Sequence, residues 1–252
     1  MISLTNVSKT YSKAGVKAVD ELTLEVYDGE IFGFLGPNGA GKSTTIKMLA
    51  GILQADSGAI LIDGINLTDS PIEAKMRIGY VPDTHDTYEK LTGNEYLNFI
   101  GTVYNVESQL LKERAEKYAK LFSMTDSLQS QISTYSHGMK QKILIIGTLI
   151  HEPKVWILDE PLTGLDPQSA YELKKLMREY ALIGNTVFFS SHVIDVVEKV
   201  CDRVAIINKG KLIAVDTLEE IRANKELSLE DLFLTMTSDT ITSESAPEVS
   251  SL

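Results

Sequence analysis

Short runs of β-branched and apolar residues alternate along the chain with segments whose apolar positions recur every three or four residues. Ile31 to Leu35, Ala59 to Ile62, Ile78 to Val81, Val155 to Leu158, Thr186 to Ser190 and Val204 to Asn208 read as strands. Strands interleaved with helices predict an α/β fold with a largely parallel central sheet. Ahead of them, Ile2 to Tyr11 and Val19 to Val26 alternate apolar and polar residues and end at Tyr27-Asp28-Gly29. That pattern predicts an antiparallel β subdomain at the N-terminus.

Between Pro82 and Pro153 the pattern changes. Thr92 to Tyr104, Gln109 to Phe122 and Gly138 to Ile150 carry helical spacing and no strand stands out, which predicts a helical subdomain inserted over about residues 84–152. After Leu234 the chain turns to Thr, Ser, Glu and Pro, too poor in large apolar side chains to bury a core of its own. The expected organisation is one domain over 1–236 and a disordered acidic, Ser/Thr-rich tail over 237–252.

Composition narrows the classes of function. With 252 residues, 43% of them hydrophobic, the chain can form a full core. A net charge of −11 argues against a nucleic-acid surface, because neutralising phosphates needs clustered Lys and Arg. The single cysteine, Cys201, forms no internal disulfide and suits a reducing compartment. Apolar runs such as Ile143 to Ile150 are less than half of the roughly 20 residues a membrane-spanning helix needs. Met1 to Tyr11 lacks the basic and apolar regions of a secretory signal, so the chain is expected to stay in the cytoplasm.

Gly36-Pro37-Asn38-Gly39-Ala40-Gly41-Lys42-Ser43 fits G-x-x-x-x-G-K-[ST] and lies between the strand ending at Leu35 and a helical run from Lys42 to Leu49. Glycines let successive N–H groups converge on an anion, and the following helix adds its positive end. Lys42 opposes that helix dipole, a placement that makes sense if phosphates neutralise it. Residues Gly36 to Thr44 are therefore nucleotide-binding candidates, with Lys42 also catalytic and the Ser43 hydroxyl available to Mg²⁺.

Val155 to Leu158 leads into Asp159-Glu160, a carboxylate pair at the end of an apolar strand. In parallel sheets these strand ends line the ligand crevice, which puts both acids near the phosphates. Asp159 is the candidate for the Mg²⁺ shell and Glu160 for the general base that polarises water.

Tyr135-Ser136-His137-Gly138-Met139-Lys140-Gln141-Lys142, with Ser136 a natural N-cap, resembles the L-S-G-G-Q signature of ABC ATPases. Its position after the phosphate loop and before the carboxylate strand matches that family. Leu162-Thr163-Gly164-Leu165-Asp166 looks like the D-loop, and His192 looks like the switch histidine. The resemblance covers roughly residues 1–236 and implies a P-loop NTPase core that hydrolyses ATP with Mg²⁺. It further implies a head-to-tail pair of such subunits, in which Ser136 and Gly138 of one reach the ATP held by the other, and a separate membrane permease at the cytoplasmic face of the cell membrane. Asp166 reads both as the N-cap before Pro167 and as a nucleotide-side contact. Tyr11 reads either as an edge-strand tyrosine or, where the family places an aromatic, as the residue stacking on adenine. Lys140 and Lys142 are again cations at a helix N-terminus, eased if a partner's phosphate approaches.

Several positions leave the family pattern. Tyr135, His137 and Met139 replace leucine, glycine and glutamine, and the backbone donors survive unless His137 needs a positive φ. Asp83 stands where the family has its Q-loop glutamine, still offering an oxygen towards Mg²⁺. Asn208-Lys209-Gly210-Lys211 lacks the aspartate of a guanine-reading N-K-x-D, which favours ATP. A non-transport ABC ATPase is the alternative, without its usual coiled-coil, zinc or tandem-domain features here. An inactive sensor would be expected to lose Lys42 or Glu160. The ending near Leu229 to Leu234 resembles short exporter-type subunits.

Overall fold

The computed structural model describes residues 1–11, 15–84, 88–223 and 229–237. Strands β1 (Ile2–Tyr11) and β2 (Val16–Val26) pair antiparallel, with Ile2 opposite Val26 and Leu4 opposite Leu24. Their alternation puts Ile2, Leu4, Val7, Leu22, Leu24 and Val26 on one buried face. After β3 (Ile31–Leu35) and helix α1 (Lys42–Leu49), strands β4 (Ser57–Ile62) and β5 (Ile65–Asn66) complete a four-stranded antiparallel sheet of order β2-β1-β4-β5. Ala59 to Ile62 therefore belongs to this sheet and not to the parallel one. The periodicity of a short apolar strand does not say which sheet it joins, and here the register Ile2↔Ile62 decides.

Helix α2 (Pro71–Met76) and strand β6 (Ile78–Val81) lead into α3 (Gly93–Val103), α4 (Ser108–Leu121) and α5 (His137–Leu149). α3 starts with a capping box, in which Glu95 N donates to Thr92 Oγ1 and Thr92 N donates back to Glu95 Oε2. The chain then returns through β7 (Val155–Asp159), α6 (Pro167–Leu182), β8 (Thr186–Ser191), α7 (Ile194–Val200), β9 (Arg203–Asn208) and β10 (Lys211–Thr217). Helices α8 (Leu218–Ala223) and α9 (Leu229–Thr237) follow. The second sheet has order β10-β9-β3-β8-β7-β6 and is parallel except for β10, which hairpins back onto β9. Thr237 ends α9, and the rest of the expected tail lies outside the described residues.

Both faces of the parallel sheet are covered. Phe32, Phe34, Ile157, Phe188, Ala205 and Ile207 pack towards the antiparallel sheet and α1. Ile31, Leu35, Trp156, Leu158, Val187 and Phe189 pack towards the helices, with Ile143, Ile145 and Leu149 of α5 in the same layer. Such two-sided burial explains why these strands read as nearly continuous apolar runs.

Candidate active site

The register of the parallel sheet sets the site. Leu35 lies opposite Ser191, Asp159 opposite Ser190, and Val81 opposite Leu158. The chain leaving β3, β6, β7 and β8 therefore brings the 36–43 loop, Asp83, Asp159-Glu160 and Ser190 to His192 to one edge, the carboxyl ends of the strands.

The loop closes on itself. Ala40 N donates to the Pro37 carbonyl at 3.1 Å, and Gly210 N of the β9–β10 turn donates to the Ala40 carbonyl at 2.8 Å. Gly41 has φ +110, and a Cβ there would lie 2.4 Å from the Ala18 carbonyl oxygen, so only glycine fits this turn into α1. A cavity of about 170 Å³ opens over Asn38, Gly39, Ser43 and Thr44 beside Ala18. Tyr11, with its ring exposed, stands at its rim, its hydroxyl 3.4 Å from Thr44 Oγ1.

Lys42 is buried and donates to the carbonyls of Gly36 at 2.6 Å and Pro37 at 3.2 Å. Burial lowers its pKa, while the charges of Glu160 and Asp159 act the other way. The helix-start cation thus already has counter-charge within the chain. Asp159 is raised above the usual carboxylate range by burial first, then by Asp83 and Glu160, against a bond from Ser190 and the charge of Lys42. Asp83, itself exposed, therefore lies near enough to act on the Asp159 carboxylate.

Ser190 is a functional residue that the sequence reading missed. Its hydroxyl donates to Asp159 Oδ1 at 2.6 Å and accepts Glu160 N at 3.2 Å, so it orients both acids. The available signal was a pair of serines closing an otherwise apolar strand. Glu160 has φ +48, a left-handed conformation uncommon for a residue with a β-carbon. Its Oε1 lies 2.9 Å from His192 Nδ1. Glu160, His192, Asp159, Lys42 and Asp83 form one constellation.

Ser136, Gly138 and Asp166 belong to a second cluster, built on the start of α5 and the loop before α6. Ser136 Oγ caps α5 by accepting Met139 N at 3.3 Å, and Asp166 caps α6 by accepting Ser169 N at 2.9 Å. His137 opens α5 in helical conformation and has no positive φ, so the backbone donors of the signature stay in place. Gly164, at φ +78, lies over the His137 ring, and a Cβ on Gly138 would come within 2.5 Å of the Gly164 carbonyl oxygen. The two lysines of this helix start need no incoming anion. Lys140 pairs with Glu89, and Lys142 Nζ lies 2.7 Å from Asp166 Oδ2. Sequence spacing along α5 did not show these acids, because both arrive from other segments.

Among the described residues no group of three His, Cys, Asp or Glu side chains is arranged to hold a metal ion alone, and no helix is long and apolar enough to cross a membrane. Residues 19–163, more than half of the chain, match the family described as ABC transporter. The linearmycin resistance ATP-binding protein LnrL of Bacillus subtilis (strain 168) is 38% identical over 221 residues, covering 88% of this chain and 70% of that protein. The ABC transporter ATP-binding protein NatA of the same organism is 35% identical, covering 90% and 95%. A solved ATP-binding subunit of an ABC transporter superposes with a TM-score of 0.89 at 32% identity, covering 94% of this chain and all of that one. On its phosphate loop, its carboxylate strand end and these relatives, the chain belongs to the ABC transporter family of ATP-binding proteins.

Proposed function

We propose that this ABC ATPase powers export of a substrate through a separate integral membrane permease, working as one of two nucleotide-binding subunits at the cytoplasmic face of the membrane. The observation that carries the reading is the convergence of Lys42, Asp159, Glu160 and His192 at one edge of the parallel sheet. In this reading the N–H groups of Gly39 and of Gly41 to Thr44 and the Lys42 ammonium hold the β- and γ-phosphates, and Tyr11 stacks on adenine. A carboxylate only accepts, so His192 Nδ1 carries the proton in its contact with Glu160 Oε1. Glu160 Oε2 remains to take a proton from the attacking water, and His192 Nε2 faces the γ-phosphate.

Mg²⁺ fits the donors present. Ser43, Asp83 and Asp159 offer oxygen only, and Asp83 and Glu160 both oppose ionisation of Asp159, an excess of negative charge that a hard cation relieves. When bound, Mg²⁺ would offset the charge of the phosphate oxygens. Ser136, Gly138 and Asp166 stand in the second cluster, suited to a nucleotide held by the paired subunit.

The permease is assigned to the junction between the helical lobe and the core. There a groove of about 300 Å³ is lined by Ile52, Ile78, Tyr80, Tyr96, Ile100 and Tyr104, and Tyr88, Phe99 and Val103 are exposed on the same lobe. Exposed aromatics around a concave apolar surface mark a protein interface. Export is supported by the resistance function in the name of LnrL.

The test is Glu160→Gln with ATP and Mg²⁺. It should retain nucleotide, lose hydrolysis, and shift from monomer to dimer by size exclusion with light scattering. Wild-type turnover would remove Glu160 as the base. Gentle purification from native membranes should bring an integral membrane protein with the chain, and a soluble partner alone would favour a non-transport role.

A further inference from the structure

Gln141 is 1% exposed on α5, among apolar residues that run on to Ile150. Its Nε2 donates to the Pro161 carbonyl at 3.0 Å, whereas its Oε1 is buried with no hydrogen-bond partner among the described residues. A half-satisfied buried amide is worse for stability than an apolar side chain of the same shape. Packing therefore does not explain a glutamine here.

The amide hydrogen bond falls on the residue after Glu160. Proline has no N–H, so the carbonyl is the polar backbone group through which Pro161 can be held. Upstream, Glu160 N donates to Ser190 Oγ at 3.2 Å; downstream, Thr163 N donates to the Glu160 carbonyl at 3.2 Å. Glu160 keeps φ +48 between these anchors, a conformation that persists where the surroundings over-determine it. The next residue of α5, Lys142, grips Asp166 at the far end of the same loop. Residues 161–166 are thereby fastened to α5 at both ends.

We propose that Gln141 is a positioning residue for Glu160. Its amide holds the Pro161 carbonyl so that the Glu160 backbone stays left-handed and the carboxylate stays against His192. Because the bond comes from α5, the placement of the base in one nucleotide site is tied to the helix whose start carries Ser136 and Gly138. This rests on Glu160 being the general base.

Two substitutions of nearly constant shape test it. Gln141→Met deletes the donor and the orphan acceptor together, so thermal stability should hold or rise. ATP affinity and KM should stay unchanged while kcat falls at least about tenfold, as expected when a reacting group is misplaced. Gln141→Glu keeps a donor only while its buried carboxyl is protonated, so its kcat should fall as pH rises through that raised pKa, a step absent from the wild-type profile. It decides the matter if the Met variant does not fold. Wild-type kcat in folded Gln141→Met, or a Gln141→Glu profile parallel to wild type, overturns the proposal. Glu160→Gln run alongside separates the two ideas. If it is inactive while Gln141→Met is fully active, only the positioning role fails; if it is fully active, the base assignment falls and takes this role with it.

Discussion

His192 Nδ1 stands 2.9 Å from Glu160 Oε1, with the histidine side chain 59% exposed and the glutamate side chain 15% exposed. The contact occupies one oxygen of the proposed base and orients the other, while the ring remains accessible from solvent. His192→Ala should therefore lower kcat by about 10²-fold or more, through lost orientation and lost contact with the γ-phosphate, without altering the fold. Steady-state ATPase with circular dichroism checks this. A variant of unchanged turnover would show that the pair is only a surface contact.

The left-handed backbone of Glu160 stores strain of about 1 kcal/mol in any residue with a β-carbon. Glu160→Gly should therefore unfold at higher urea concentration than Glu160→Ala, with a stability difference of about 1 kcal/mol in favour of glycine. Both variants lack the carboxylate, so the comparison isolates the backbone. Equal midpoints would mean that the loop relaxes when the side chain is cut.

Much of the fold is legible along the chain because each parallel strand is buried on both faces and bounded by a turn. Ile31 to Leu35, Ile78 to Val81 and the Lys42 to Leu49 helix coincide with β3, β6 and α1. Lys211 to Thr217 escaped notice because β10 is a half-exposed edge strand with charged positions and little alternation. Local motifs named Lys42, Asp159 and Glu160 because a spelling and a strand end suffice to place them. Ser190, Gln141 and the partners of Lys140 and Lys142 did not show, since each contact depends on sheet register or on the packing of distant segments. Asp83 is intermediate. Its residue type was visible, and its influence on Asp159 needed β6 and β7 side by side.

That influence has a consequence for nucleotide binding. Asp83 adds negative charge beside Asp159 and Glu160, and like charges a few ångströms apart repel by about 1 to 4 kcal/mol, depending on screening. Metal-free ATP should thus be resisted more than the metal complex. Asp83→Asn, of equal size and neutral, is expected to raise affinity for ATP in the presence of a chelator about tenfold and to change affinity for Mg²⁺-ATP less. Titration with a fluorescent nucleotide, with and without the metal, reads both. If Asn leaves metal-free affinity unchanged, Asp83 does not face the phosphates.

Lys142 and Asp166 join the start of α5 to the start of α6, and pH reports on the join. The Asp166 carboxyl is held well below the usual range, first by its bond from Lys142 and then by Ser169 N and the Ser169 hydroxyl. A depressed folded pKa means that the ionised form stabilises the native state above the unfolded pKa of about 3.9 and that this contribution disappears as pH falls through the folded value. The Asp166 side chain is 50% exposed, so solvent screening limits the effect to about 0.5 to 1 kcal/mol. Asp166→Asn keeps an oxygen to cap α6 but loses the ion pair. It should be less stable than wild type at pH 7 by that amount, and the gap should narrow steadily below pH 4. Asp166→Ala also loses the cap, and should stay about 1 kcal/mol below Asn at neutral and acid pH alike. Urea unfolding of the three proteins from pH 7 down to pH 3 separates charge from capping. A gap between wild type and Asn that is the same at both ends of that range would show that the Lys142 contact contributes no ionic stabilisation, leaving the Gln141 bond to the Pro161 carbonyl and the packing of Gly138 against Gly164 to hold the loop on α5.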